Sequence, residues 1–355
     1  MHLRLTLALA IAIVVAGCQT IGPGSIHRDR LDYADAIADS WKQQALLNIV
    51  KLRYFDTPVF LDVSSVISSY TLQSQVDIAA RIFPKSPPDT FGNLGASGLY
   101  TDRPTISYAP LTGEKFVNNL LRPIPPQAIF AMIQAGHQAD YILAVAVRAI
   151  NDVYNSSASP ARARREDPTF RLVIRAFRQI QQAGALGMRT EKRGGAEVTL
   201  IFFRENVSED VAKDIRSLKE ALGIGLDKKE ILLAFGSMRH RDDEIALLTR
   251  SMMEMLVEFS ADIDVPQQHL VEGRARSVPE SAAREGPDEH PLACIHSGSE
   301  SPPDAYVAVR YRTYWFWIDD RDLDSKRAFL FLRVFSSIAE TGVVPQLPII
   351  TIPAN

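Results

Sequence analysis

Two cysteines in 355 residues, Cys18 and Cys294, are too few for a disulfide framework. Beyond the first seventeen residues no stretch holds 18 consecutive apolar residues, so nothing after that leader is expected to cross a bilayer as a helix. An excess of one charge sign is missing as well. Lys and Arg number 39 against 42 Asp and Glu, a formal charge of −3, which gives no general attraction to nucleic acid, and no nucleic-acid partner is expected. Catalytic signatures are also absent: there is no His-Glu-x-x-His, no Gly-x-Ser-x-Gly and no Ser-x-x-Lys. Gly92, Gly95 and Gly98 stand at the wrong spacing for a dinucleotide loop, follow no clean strand and open no helix, so no cofactor is expected. The 46% apolar and 23% charged residues that remain are the profile of a globular chain long enough for two domains or one large one.

The beginning of the chain is its most informative stretch. Met1 to Arg4 carries one positive charge, an apolar run extends from Leu5 to Val15, and Ala16-Gly17-Cys18 closes it with small residues. That is the plan of a secretory signal peptide, too short for a membrane span. Val15-Ala16-Gly17-Cys18 resembles the lipobox of bacterial lipoproteins. The resemblance covers this segment alone. It implies that residues 1–17 are removed, that Cys18 is acylated (a palmitate-type lipid anchor), and that residues 18–28 form a lipidated tether. Gln19, in place of aspartate, implies sorting to the outer membrane, with the protein facing the periplasm. With Cys18 acylated, Cys294 is left free or open to intermolecular pairing.

Periodicity predicts an α+β protein, with a helix-rich α+β region over 29–155, a linker at 156–168 and a C-terminal α+β domain over 169–355. That last domain reads as an α/β sandwich with a mixed or antiparallel sheet, interrupted by a long disordered insertion at 265–304. Asp29 to Tyr54 has helical spacing, and Val59 to Tyr70 is β-branched and aromatic. Arg81 to Arg103 holds three prolines and three glycines and reads as a loop. Tyr141 to Tyr154 fits a buried helix or a strand equally well. Phe170 to Leu186 is helical with Gly187 as its stop, and Val198 to Phe203 and Ile231 to Phe235 are strands. Tyr306 to Val309 and Tyr314 to Ile318 alternate as strands, expected to complete the sheet begun at Val198; a helix follows from Asp324 to Thr341, and Ile349 to Ile352 is a last strand. Methionines in Met252 to Phe259 have core spacing.

The densest chemical grouping is Asp319, Asp320, Asp322 and Asp324. The first three calcium-loop spacings match, but Ser325 stands where the glycine belongs and Phe331 where the bidentate glutamate belongs, so an EF-hand is rejected. Acids at a helix start complement its dipole, and Arg321, Lys326 and Arg327 are at hand to pair with them. Glu289, His290, Cys294 and His296 lack a second Cys–His pair for tetrahedral zinc, so no metal site is expected. Arg162, Arg164 and Arg165 read as a solvated linker. Two functions fit the sequence as a whole. The first is a membrane-anchored envelope lipoprotein, a non-catalytic binding or assembly module for another envelope protein or polymer. The alternative is a periplasmic hydrolase using Asp319 to Asp324 with His240 as base, which requires a cleft that brings them together.

Overall fold

Helix α1, Pro23–Arg53, is the longest element of the computed structural model, which describes residues 23–67, 70–81, 91–102, 105–159, 163–277 and 291–339. The helix begins six residues before the expected start, so residues 23–28 of the anticipated tether are helical. Proline is tolerated in a first turn because its fixed φ suits a helix and its missing N–H would have no partner there. Cys18, the leader and the last predicted strand lie outside the described residues. Leu46, Ile49 and Val50 are fully buried, and α1 packs on helix α7 (Met252–Ala261) and on strands β12 (Ala305–Tyr311) and β13 (Tyr314–Asp319). It ends in a Schellman motif: Asp56 N–H reaches Lys51 O at 2.9 Å, Phe55 N–H reaches Leu52 O at 3.2 Å, and Phe55 takes φ +57°.

Two compact units divide the chain, Val59–Leu111 and everything else. The smaller unit is a run of antiparallel ladders. β1 (Leu61–Ile67) pairs with β4 (Thr105–Pro110), and β2 (Tyr70–Arg81) pairs with β3 (Phe91–Asp102) from Tyr70↔Asp102 to Arg81↔Phe91. Strand β3 corrects the loop expected over Arg81 to Arg103 at residues 91–102, and Arg81 belongs to β2; the rest of that stretch lies outside the described residues. Its glycines hide an alternation, with Leu94, Ala96 and Tyr100 two or four residues apart, that holds once β2 supplies the partner for every ladder bond.

The larger unit is built on a six-stranded mixed sheet of order β6-β5-β10-β9-β8-β7. Its strands are β5 (Val147–Ile150), β6 (Val153–Tyr154), β7 (Leu186–Arg193), β8 (Ala196–Phe203), β9 (Glu230–Phe235) and β10 (Glu244–Thr249). Only β9 and β10 run parallel. The linker expected at 156–168 therefore lies between strands of one sheet, since β5 and β6 precede it and β7 to β10 follow. Helix α2 (Gly113–Phe116) runs on as a π-helical turn, Val117–Leu121, and is followed by α3 (Pro126–Gln134) and α4 (Ala139–Ala146). α5 (Pro168–Gln182) follows, with Phe170, Val173, Ile174, Phe177 and Ile180 all buried along one stripe, each contributing about 1.5–3 kcal/mol. Asp167 caps it through Thr169 N–H at 2.8 Å. Gly184, at φ +62°, is its terminator. Gly187, the expected stop, lies in β7, where a Cβ would come 2.3 Å from the Phe202 ring.

The undecided stretch Tyr141 to Tyr154 is both helix and strand, because α4 passes into β5 with no loop. Such a junction leaves helix-end carbonyls to be satisfied by side chains. Asn155 Nδ2 donates to Ala144 O and Val147 O, both at 2.8 Å. The fully buried Arg250 donates to Ala144 O at 2.9 Å, Val145 O at 3.0 Å and Ser156 O at 2.5 Å, and its own N–H reaches Ala146 O at 2.7 Å. Glu258, also buried, faces the guanidinium at 3.8 Å and accepts from Ser157 Oγ and Ala158 N–H. The β5–β6 turn places Asn151 and Asp152 at φ +46° and +64°, the primed turn that two-residue hairpins favour.

β12 and β13 do not complete the sheet that contains β8. With β11 (His296–Gly298) they form a separate three-stranded antiparallel sheet of order β11-β13-β12. α1 packs on β12 and β13, so these strands meet a helix where the sequence reading had them meet β8. The insertion expected over 265–304 is corrected where its residues are described. Helix α8 (Gln267–Val271) and β11 are ordered within it, and Val265, Ala275, Ala293 and Ile295 are buried; residues 278–290 lie outside the described residues. The remaining helices are α6 (Glu209–Ala221) and α9 (Leu323–Ala339). Of the three methionines of α7, Met252 and Met255 are buried in the core and Met253 is partly exposed.

Candidate functional site

The acid cluster occupies the corner where β13 hands over to α9. Asp319 Oδ1 accepts from Arg321 N–H at 2.8 Å, closing the turn. Asp320 is exposed and accepts from Lys326 Nζ at 2.7 Å, a bond that holds its carboxyl below the usual carboxylate range. Asp324, also exposed, pairs with Arg327 at 3.2 Å. Asp322 is the cap. Its Oδ1 accepts Ser325 N–H at 3.0 Å, its Oδ2 accepts the Ser325 hydroxyl at 2.5 Å, and its carbonyl accepts Lys326 N–H at 3.0 Å. Partial burial works to raise the Asp322 pKa. Bonds from the Ser325 hydroxyl and N–H, the Asp324 N–H and the Cys294 thiol outweigh it and leave the carboxyl low.

Ser325 connects this cap to the interior, since its buried hydroxyl also accepts Cys294 N–H at 2.8 Å. Cys294 is a free thiol, pushed up from its ordinary value first by burial and then by the negative charges of Asp322 and Asp262. Asp262, just past α7, accepts Leu292 N–H at 2.7 Å. Tyr141 stands in the same field, its ring 5.1 Å from that of Phe331, and burial pushes its phenol above the usual range. The Tyr141 hydroxyl is buried with no hydrogen-bond partner among the described residues. A raised thiol among carboxylates is the reverse of an activated cysteine, which needs a positive surrounding. The sequence marks Cys294 as an odd cysteine and as one of four metal-capable side chains, but gives no sign of Tyr141 and Asp262 beside it. They are remote in the chain and carry no spacing signal.

His240 lies elsewhere, exposed in the β9–β10 loop. Eight residues return the chain there to start a parallel strand, a short crossover for such a pair. The loop is fastened by Gly225 N–H to Asp242 O at 2.8 Å and Leu232 N–H to Asp243 O at 2.7 Å. The carboxylates beside His240 have cationic partners: Arg241 binds both oxygens of Asp243 at 2.7 and 2.6 Å, and Lys228 meets Asp242 at 3.2 Å. Among the described residues no hydrogen bond or ion pair joins this loop to Asp319–Asp324. Of the other grouping, Glu289 and His290 lie outside the described residues. His296 is exposed on β11 with its ring 5.6 Å from that of Trp317. No set of three metal-capable side chains converges among the described residues.

One feature invisible in the sequence is a cleft of about 360 Å³ where the C-terminal ends of α1 and α7 meet, lined by Arg53, Phe55, Asp56, Ala158, Val257 and Ser260. Burial lowers the Arg53 pKa, and its Nε is buried without a hydrogen-bond partner among the described residues. Phe55 is 65% exposed and sits in the left-handed region that a β-carbon disfavours. A strained, exposed aromatic beside a half-buried cation gives this cleft an apolar wall and one charged donor, the ingredients of a binding pocket. No protein-family model, curated protein or solved structure matches this chain.

Proposed function

We propose that this chain is an envelope lipoprotein, anchored through Cys18 to a membrane and facing the periplasm, that serves as a non-catalytic binding or assembly module. The anchor rests on Val15-Ala16-Gly17-Cys18. No helix among the described residues is long and apolar enough to cross a membrane. The observation that carries the non-catalytic reading is the use made of the four acids. They close a turn, cap α9 and pair with Lys326 and Arg327, while His240 is held in a separate crossover loop. The cleft beside Arg53 and Phe55 is the place where a partner would engage.

Two measurements test this reading. Wild-type protein should take up radioactive palmitate and fractionate with outer membranes, and Cys18→Ala should do neither; label retained by that variant would refute the anchor. Crosslinking of the native protein should then yield a defined envelope neighbour that is lost on Arg53→Ala. A purified form that hydrolyses an envelope substrate, and loses that turnover by orders of magnitude in Asp322→Asn, would overturn the binding role.

A further inference from the structure

We propose that the β2–β3 ribbon is a membrane-inserting hairpin and that copies of this chain join their ribbons edge to edge into a closed barrel. The argument begins with the ladder itself. Twelve residues of β2 pair without a register shift with twelve of β3, and among the described residues neither strand has another neighbour. A lone two-stranded ribbon is marginal in water and leaves two unpaired backbone edges.

The sequence along that ladder is sorted by face. Alternate positions in register place Leu72, Ser74, Val76, Ile78 and Ala80 of β2 in one row with Gly92, Leu94, Ala96 and Gly98 of β3, so that Ser74 is the one polar side chain between Tyr70 and Ala80. No charged residue falls in that row until Asp102 at its end, where Tyr70 and Tyr100 also stand. The opposite row holds Thr71, Gln73, Gln75 and Asp77, opposite Thr101, Leu99, Ser97 and Gly95, and ends at Arg81↔Phe91. Apolar on one face, polar on the other and aromatic at a margin is the pattern of a transmembrane β-strand between lipid and a wet lumen. The length agrees: twelve residues at about 3.3 Å each give ~40 Å. At a tilt of ~45° such a strand projects about 28 Å along the membrane normal, close to the ~25–30 Å apolar band.

Closure follows from backbone chemistry. In hydrocarbon every N–H and C=O must be paired within protein, so an inserted ribbon cannot keep its edges open. A second copy supplies what the first lacks. β3 of one chain beside β2 of the next continues the antiparallel alternation, and such a head-to-tail contact closes into a ring. Each copy adds two strands, which makes the strand number even, and the smallest barrels, of about eight strands, need about four copies.

The inference extends the lipid-anchor reading, which would bring the ribbon to a bilayer, but its test does not depend on acylation. Single cysteines are placed at Val76, Ile78 and Leu94, and at Gln75, Asp77 and Ser97, in the full chain carrying Cys294→Ser. Each is reconstituted in phosphatidylethanolamine–phosphatidylglycerol vesicles, with and without Cys18→Ala. The expected result is loss of aqueous maleimide labelling and quenching by brominated lipid for the first three, and retained aqueous labelling for the last three. Native mass spectrometry in detergent should show a ring of four or more copies. Water access to both rows, lipid contact with neither, or a monomer in detergent would overturn the barrel, even if palmitate labelling shows the anchor to be present. Protection of the apolar row by a different protein in place of lipid would also overturn it.

Discussion

The hydroxyl of Tyr54, where α1 ends, and Nδ1 of His269, in α8, share a hydrogen bond of 2.6 Å across 215 residues of sequence. The rings meet edge to face, and Tyr311, Tyr314 and Phe316 complete the aromatic surround. Burial, with Arg274 and Arg312 adding to it, holds His269 below its ordinary value of 6.5. The unfolded chain therefore takes up the proton first. The stability tied to neutral His269 is whole above pH 6.5 and is lost as the pH falls from there toward the folded-state value. A melting temperature that declines below this pH, with a shallower decline in His269→Gln, is the expected outcome; identical slopes would show that other groups dominate. Tyr54, pushed up to about 12 by burial, adds an alkaline limb of opposite sign. Its contribution is complete below the ordinary tyrosine value and disappears as the pH rises through about 12.

Arg250 and Glu258 should be the most costly polar pair to disturb. Arg250→Met removes donors to three carbonyls and leaves Glu258 buried beside an uncharged neighbour. Breaking a buried pair from one side costs about 3–5 kcal/mol. Denaturant unfolding should register that loss, and Arg250→Met with Glu258→Gln should lose less than the two single changes added together. Strict additivity would mean that the 3.8 Å approach carries no coupling.

Phe55→Gly should stabilise the protein. The side chain is mostly solvent-exposed, and its left-handed backbone costs about 1–2 kcal/mol that glycine avoids. A net gain of about 0.5–1 kcal/mol is expected once the greater freedom of glycine in the unfolded chain is counted. The same variant should lose partner capture if the aromatic wall of the cleft is used for binding. A gain in stability with unchanged capture would separate the strain from function.

Asp322→Ala should cost about 0.5–2 kcal/mol through the lost cap. It should also bring the Cys294 thiol down toward its ordinary value, because Asp322 is one of the charges holding it up. Alkylation by iodoacetamide at neutral pH, slow in the wild type, should then accelerate. An unchanged rate at equal stability would mean that burial alone controls this thiol.

Much of the fold could be read from periodicity. Val198 to Phe203, Ile231 to Phe235, Tyr306 to Val309 and the helix after Asp324 all fall where an alternating or 3.6-residue pattern places them. The losses have definite physical causes. Tyr141 to Tyr154 could not be assigned from pattern because two buried elements join there without polar punctuation. Its resolution depended on Arg250, about a hundred residues away. β3 was hidden by glycines, whose cost in a strand is recovered only through pairing. Of the site, the placement of the acids at a helix start with Lys326 and Arg327 as partners was legible from helix chemistry. The cleft at Arg53 and Phe55 was not, because it exists only where two helix ends converge.

The order of the large sheet bears on how the chain must come to its native state. Ala149 pairs with Leu248, so the β5–β10 ladder cannot zip until about a hundred later residues have been made. Until then β5 presents a bare apolar edge and α4 has no Arg250 to satisfy its last carbonyls. Topologies dominated by such distant pairings fold slowly. Under the proposed export of the chain in an unfolded state, this delay would be an advantage. The sheet that would jam translocation cannot assemble from the N-terminal segment alone.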